Sequence, residues 1–384
     1  MNHMKKIITP LFLAGLLFQG CAQSSESTNQ TKIVQPSTTF DFEISNFLSN
    51  NSTLDKEVER IFKELDDTAI VAQLIMPAVG RLGQTKETID QHINERLIGG
   101  VLMLNGTKEE FKSWIKNFES MNEKKGNLPF LYSADAEPSL VNRKIIGSNP
   151  VKKANELLNK TEVINCAKTI SKDLNSIGIN YNFSPVVDMS PNATVGFRSF
   201  GAVPANIIPW SNAFIQETQR NNIIATAKHF PGHGLVSGDT HKALQVINGE
   251  MKEIGNYPTL IANGVLSIMV AHIAVENNAI YNTDGLPSTC SEKIVTNLLK
   301  DSLGFKGLIV TDAMNMGGVV NVPLAAFKAI NAGCDILLMP LDAKLAHQEL
   351  LAAYRTDKAF KSKVDESAKK ILRMKLALGL LKAN

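Results

Sequence analysis

Cysteine is scarce in this chain: four occur in 384 residues, at positions 21, 166, 290 and 334, and none stands in a CxxC pair. That argues against a disulfide scaffold or a paired-cysteine zinc site, and Cys166, Cys290 and Cys334 read as buried or loop thiols. A large excess of one charge is also missing. The formal net charge is +3, and about +1 without Lys5 and Lys6, so the electrostatic basis for binding nucleic acid is absent. No HExxH, phosphate loop or dinucleotide glycine fingerprint is present, and neither a metal nor an organic cofactor is expected.

What remains is ordinary for a globular protein, 44% hydrophobic and 20% charged residues, with enough length for one large domain or two. The N-terminus differs from the rest. Lys5 and Lys6 precede an apolar run from Ile7 to Phe18, then Gly20 and Cys21. The run falls short of the roughly 20 apolar residues of a membrane span and has the form of an export signal. Small residues before Cys21 resemble a bacterial lipoprotein cleavage site, with Phe18 and Gln19 an imperfect fit; the rival is a plain secretory signal with an incidental cysteine. Residues 1–20 are thus expected to be a signal, 21–53 a polar spacer, and 54–384 the folded body. Lipidation of Cys21 would anchor an exported protein to a membrane.

From about residue 54, apolar runs alternate with helix-like stretches. Eight runs stand out, at 71–76, 99–104, 129–135, 179–188, 223–228, 265–271, 308–312 and 335–340. Between them lie amphipathic stretches such as 107–121, 162–177 and 291–303, and 367–381 reads as a closing helix. Eight βα units over this length predict an α/β protein, a single (β/α)8 TIM-type barrel. Asp135, Asp188, Lys228, His229, His272 and Asp312 fall at the expected carboxyl ends of strands, the face that carries the site in such barrels. Each taken alone is equally well read as a helix cap or strand terminator.

The segment "KHFPGHGLVSGDTHKAL", residues 228–244, packs three histidines among Pro231, Gly232, Gly234 and Gly238. Those glycines predict a mobile loop. Asp239 and His241, two apart in an extended loop, can point the same way, which would orient the imidazole and make it a proton donor. The rival is a surface histidine beside a turn aspartate. His233 reads as structural. His229, His233, Asp239 and His241 also form a possible metal set, but Pro231 and Gly232 break the helix that such spacing needs.

These residues, together with "GINYNFSPVVDMS", "FRSFG", "LIVTDAMNM" and "AGCDILLMP", resemble glycoside hydrolase family 3, specifically its bacterial β-N-acetylglucosaminidases. The resemblance implies a (β/α)8 barrel and a retaining double displacement through a covalent glycosyl-enzyme. By position it implies Asp312 as nucleophile and His241 as acid/base assisted by Asp239. Lys228, His229, Arg198 and Asp135 would bind the sugar's hydroxyls. The substrate would be an oligosaccharide, of peptidoglycan or chitin type, and the protein a monomer. Where many relatives carry "EGGR", this chain reads "DAEPSLVNRK", keeping Asp135 and Glu137 without the paired glycines and adjacent arginine. Other family-3 activities (β-glucosidase or phosphorylase), a noncatalytic carbohydrate-binding lipoprotein and a metal-dependent hydrolase are the alternatives.

Overall fold

The computed structural model describes residues 41–189, 192 and 195–383; the expected signal, Cys21 and most of the spacer lie outside them. The strands are β1 (Ile75–Met76), β2 (Gly100–Met103), β3 (Leu131–Ala134), β4 (Tyr181–Asn182), β5 (Ile224–Phe230), β6 (Ser267–Val270), β7 (Leu308–Thr311) and β8 (Leu337–Leu338). Strands β2 to β7 lie side by side in one parallel sheet, which curls. Beyond Pro77, Ala78–Val79 continues β1 and pairs with β2. At the other side Ile336 bridges to Val310, and β8 pairs with β1. Every residue of these strands is buried, which is why they read as largely apolar runs, Lys228 and His229 in β5 excepted, rather than as alternating ones.

All eight apolar runs contain a strand. The first differs from expectation, because only its end is extended. Its first residues belong to the helix Asp67–Ala72, capped by the Asp66 carboxylate on the Ala69 amide at 2.7 Å. A short apolar run cannot by itself separate a buried helical turn from a strand. The amphipathic stretches form Lys108–Lys124 and Lys160–Ile177. Thr107 and Glu110 close a reciprocal capping box on the first, and Gly178, at φ 99°, ends the second. The third stretch is a π-helix, Lys293–Ser302. The final helix starts earlier than its apolar pattern, Lys358–Ala377.

Residues 41–53, read as spacer from their composition, pack on this body. Phe47 is buried, and Arg373 donates to the carbonyl oxygens of Asn46, Phe47 and Ser49.

Lys375 is fully buried, its ammonium held among the described residues by neutral acceptors, Gln73 Oε1 at 2.6 Å and the Gly99 carbonyl at 3.1 Å. Burial pushes its pKa down to about 7. Above that pH the unfolded chain holds a proton that the folded chain has lost, so stability climbs from pH 7 toward the ordinary lysine value and is flat below 7. In urea unfolding between pH 7 and 9, the wild type gains up to about 1.4 kcal/mol per pH unit over a Lys375→Met variant. Parallel pH curves for the two proteins would contradict this.

Candidate active site

The carboxyl ends of the strands open onto a cleft of about 620 Å³, within the range of roughly 300–1,000 Å³ common for small-molecule sites. Asp135, Arg198, Lys228, His229, Asp239, His241 and Asp312 all line it. The fold thus brings together every side chain singled out for catalysis or sugar binding, from the third strand to the seventh.

Asp312 directly follows β7, with its amide donating to the Val270 carbonyl at 2.8 Å and its Oδ1 accepting from the Ala313 amide at 2.8 Å. Burial alone would raise its pKa. The nearby His229 and the Ala313 amide outweigh burial and hold the carboxyl below the usual range, His241 adding a smaller share. Asp312 is therefore an anion at neutral pH. His272, at the end of β6, is buried, and burial keeps it neutral. Its Nε2 lies 3.0 Å from the Ala313 carbonyl and its Nδ1 2.8 Å from the Thr289 hydroxyl. The neutral ring thus donates from Nε2 to a carbonyl that can only accept, and takes the hydroxyl proton on Nδ1.

Asp239 and His241 do meet, with Oδ1 2.8 Å from Nδ1. The route differs from the extended loop expected from spacing. Asp239 turns the chain back on itself: its carboxylate accepts from the His241 amide at 3.0 Å and its carbonyl from the Lys242 amide at 3.0 Å, an aspartate-headed turn. Burial would raise the Asp239 pKa, but the His241 amide and ring together lower it.

The opposite wall is an ion-pair network. Lys228, on β5 and 2% exposed, contacts Asp135 and lies 2.5 Å from Glu137 Oε1. Arg198 forks onto Glu137 through Nε at 2.8 Å and Nη2 at 2.6 Å, and Lys144 closes on Asp135. Burial would raise the Asp135 carboxyl, yet Lys144, Lys228 and Arg198 hold it well below the usual range. Lys228 and Asp135 therefore reach the cleft already paired with each other, and Arg198 already paired with Glu137, a stiffer arrangement than independent sugar ligands.

The sequence alone assigns no role to Glu137 or Lys144. Glu137 is visible there only as the acid two residues beyond Asp135. Lys144 lies in the stretch that replaces "EGGR", on a short helix, Val141–Lys144, and the departure of that stretch from the family pattern is its one signal. Phe197 and Leu82, both exposed, also line the cleft.

Each histidine of the other possible ligand set is engaged by a hydrogen-bond partner. His229 Nδ1 meets Asp188 Oδ2 at 2.7 Å, His233 Nε2 meets the Thr240 hydroxyl at 2.8 Å, and His241 turns to Asp239. His233, buried and held neutral by its burial, is structural. Asp188 accepts the backbone amides of both His229 and His233.

The glycines around His233 serve close approach. A Cβ on Gly234 would sit 1.6 Å from the Met189 carbonyl oxygen. Glu253, buried and raised to about 8 by burial and then by Asp188, accepts the amides of Met189, Gly234 and Leu235. The root of this loop is thus pinned, against the mobility that its glycine content predicts.

Comparison with known proteins shows the family. A β-N-acetylglucosaminidase/β-glucosidase of Cellulomonas fimi is 29% identical over 304 residues, covering 74% of this chain and 53% of that protein. A β-hexosaminidase of Methylobacillus flagellatus is 30% identical over 307 residues, 71% of this chain and 81% of the relative. The solved family 3 β-N-acetylglucosaminidase of Paenibacillus sp. FPU-7 superposes with a TM-score of 0.76 at 26% identity, over 82% of this chain and 63% of that one. The chain spans about half the length of the Cellulomonas fimi relative. The Glycosyl hydrolase family 3 N terminal domain matches residues 67–374, and with the curled parallel sheet and the cleft at its carboxyl ends, the chain belongs to glycoside hydrolase family 3.

Proposed function

We propose that this protein is a retaining β-N-acetylhexosaminidase that releases terminal β-linked N-acetylglucosamine, without metal or organic cofactor. The single observation that carries the reading is the meeting, in one cleft, of the anionic Asp312 and the Asp239–His241 pair. Asp312 attacks the anomeric carbon to form a glycosyl ester while His241 donates a proton to the departing oxygen. Water, deprotonated by His241, then releases the sugar. Lys228, His229, Arg198 and Asp135 hold the hydroxyls. The pairing of β8 with β1 supports a closed (β/α)8 barrel around this site. The relatives' names support the N-acetylglucosamine specificity. Peptidoglycan-derived or chitin-type oligosaccharides are the substrates this reading favours, with the protein a monomer, exported and lipid-anchored through Cys21.

Trapping with a 2-fluoro N-acetylglucosamine analogue and mapping the labelled peptide tests the chemistry; the label is expected on Asp312, and a label elsewhere removes the assignment. Chromogenic N-acetylglucosaminide is expected to be cleaved in preference to glucoside, at a rate unaffected by phosphate. Phosphate-dependent release of sugar phosphate would instead mark a phosphorylase. Asp239→Asn keeps the turn but loses the carboxylate that favours the imidazolium. It is expected to slow aglycones that need protonation by about 10- to 100-fold and to leave the unfolding midpoint in place, and equal rates on such substrates would remove Asp239 from the proton relay.

A further inference from the structure

Asp239 and His241 are poorly supported by packing, their side chains 32% and 61% exposed. The residue between them is the opposite: Thr240 is 1% exposed. Its hydroxyl lies 2.8 Å from His233 Nε2, and His233 is in turn held through its amide by Asp188, the carboxylate that also orients His229. The Thr240 carbonyl accepts the Gly318 amide at 3.0 Å, and the His241 carbonyl accepts the Gly317 amide at 3.0 Å. Gly317 and Gly318 belong to the loop that begins at Asp312.

We infer that Thr240 and the Gly317–Gly318 amides form a latch that docks the acid/base strip onto the nucleophile's own loop and so sets where His241 stands relative to Asp312. The inference rests on the roles proposed above for His241 and Asp312. These three are positioning residues, and none need touch substrate. A histidine 61% exposed on a turn has many rotamers and backbone placements available. Two backbone hydrogen bonds and one buried hydroxyl remove the backbone share of that freedom, leaving the Asp239 contact to select the ring orientation. Proton donation requires hydrogen-bond reach to the departing oxygen, so displacement by an ångström is enough to lose most of it.

The identity of residue 317 has a steric reason. A Cβ there would lie 2.3 Å from the Lys242 carbonyl oxygen and 2.9 Å from that of His241. Gly317 is outside the left-handed region, so alanine suits the local backbone and collides first with the docked strip. Gly318 would also strike His272, at 2.9 Å from its carbonyl oxygen, which makes Gly317→Ala the cleaner probe. Thr240→Val is the second, keeping shape and removing the hydroxyl.

The test compares kcat/KM, which reports the step that forms the glycosyl ester, for two N-acetylglucosaminides. One carries a dinitrophenyl aglycone that leaves without a proton, and the other an alkyl or sugar aglycone that needs one. Thr240→Val and Gly317→Ala are each expected to lose about 10- to 100-fold on the second and to stay within about threefold of wild type on the first. Thr240→Ser is expected to restore most of the loss, with unfolding midpoints lowered by no more than about 10 °C in any variant and the protein folded at the assay temperature. Equal losses on both substrates, or none in either variant, overturn the latch. His241→Ala, run alongside, separates the two ideas: if it shows no preference for the activated aglycone, the acid/base assignment itself is wrong, whatever the latch variants do.

Discussion

Asp312→Ala is expected to lower kcat/KM on N-acetylglucosaminides by about 10⁴- to 10⁶-fold, the scale for deleting the nucleophile of a covalent mechanism, and to leave the fold intact. The size of the effect follows from what the carboxylate is asked to do. It must be charged before substrate arrives, and the arrangement of His229 and the Ala313 amide keeps it so against the effect of burial. It must also be fixed in direction, and the Ala313 amide at 2.8 Å fixes one oxygen, leaving the other for the anomeric carbon. Among the described residues, no other carboxylate at the cleft takes its place: Asp135 and Glu137 are committed to lysine and arginine, and Asp239 to His241. Folding is spared because Asp312 follows its strand rather than packing within it. Azide added to the alanine variant enters the space left by the carboxylate and attacks the sugar directly, and the expected product is a glycosyl azide of inverted configuration. Turnover by the alanine variant at an undiminished rate would end the double-displacement reading, and steady-state kinetics on a chromogenic substrate suffices to see it.

Lys228→Met is expected to destabilise the protein by about 3–5 kcal/mol, the range for removing one partner of a buried ion pair. Lys228 is 2% exposed and stands between Asp135 and the fully buried Glu137. Its own pKa is raised, burial opposing and the two carboxylates prevailing. Methionine matches the length of the side chain and fills its volume, so the loss reads the charge rather than a cavity. Lys144 and Arg198 still serve the two carboxylates, which places the expected value near the lower end of that range. Urea unfolding at neutral pH measures it. Adding Glu137→Gln to the lysine variant is expected to recover part of the loss by removing the stranded charge. A single variant within about 0.5 kcal/mol of wild type, the scatter of ordinary surface changes, would mean that the network is not electrostatically coupled. Activity is expected to fall in the same variant, since the proposed sugar-binding wall loses its central cation.

Both effects arise at residues whose type and rough position can be read from the chain's own pattern. The strand-end placement of Asp135 and Asp312 is legible because a strand buried on both faces must be apolar along its length, so a charged residue marks its end. Lys228 and His229 show the rule's limit, being polar and inside β5 itself; they persist there because Asp135, Glu137 and Asp188 meet them. The pairing of Asp239 with His241 is also legible, since residues two apart need only a local turn to touch, though the turn is an aspartate-headed one rather than the extended chain expected. Where periodicity is ambiguous, as in residues 71–76, a capped helical turn takes the start of the run.

By itself the sequence determined the alternation of buried strands and amphipathic helices, the strand ends that carry charge, and the local Asp239–His241 contact, because each of these is a matter of neighbours within a few positions. Only the tertiary structure decided that Glu137 neutralises Lys228 and Arg198, that Lys144 returns to Asp135, and that Thr240 docks against Gly317 and Gly318. The physical reason is distance along the chain: Lys228 and Asp135 are 93 positions apart, and an ion pair or a backbone hydrogen bond between such segments is specified by how the strands align and how far their loops project, which no local pattern encodes.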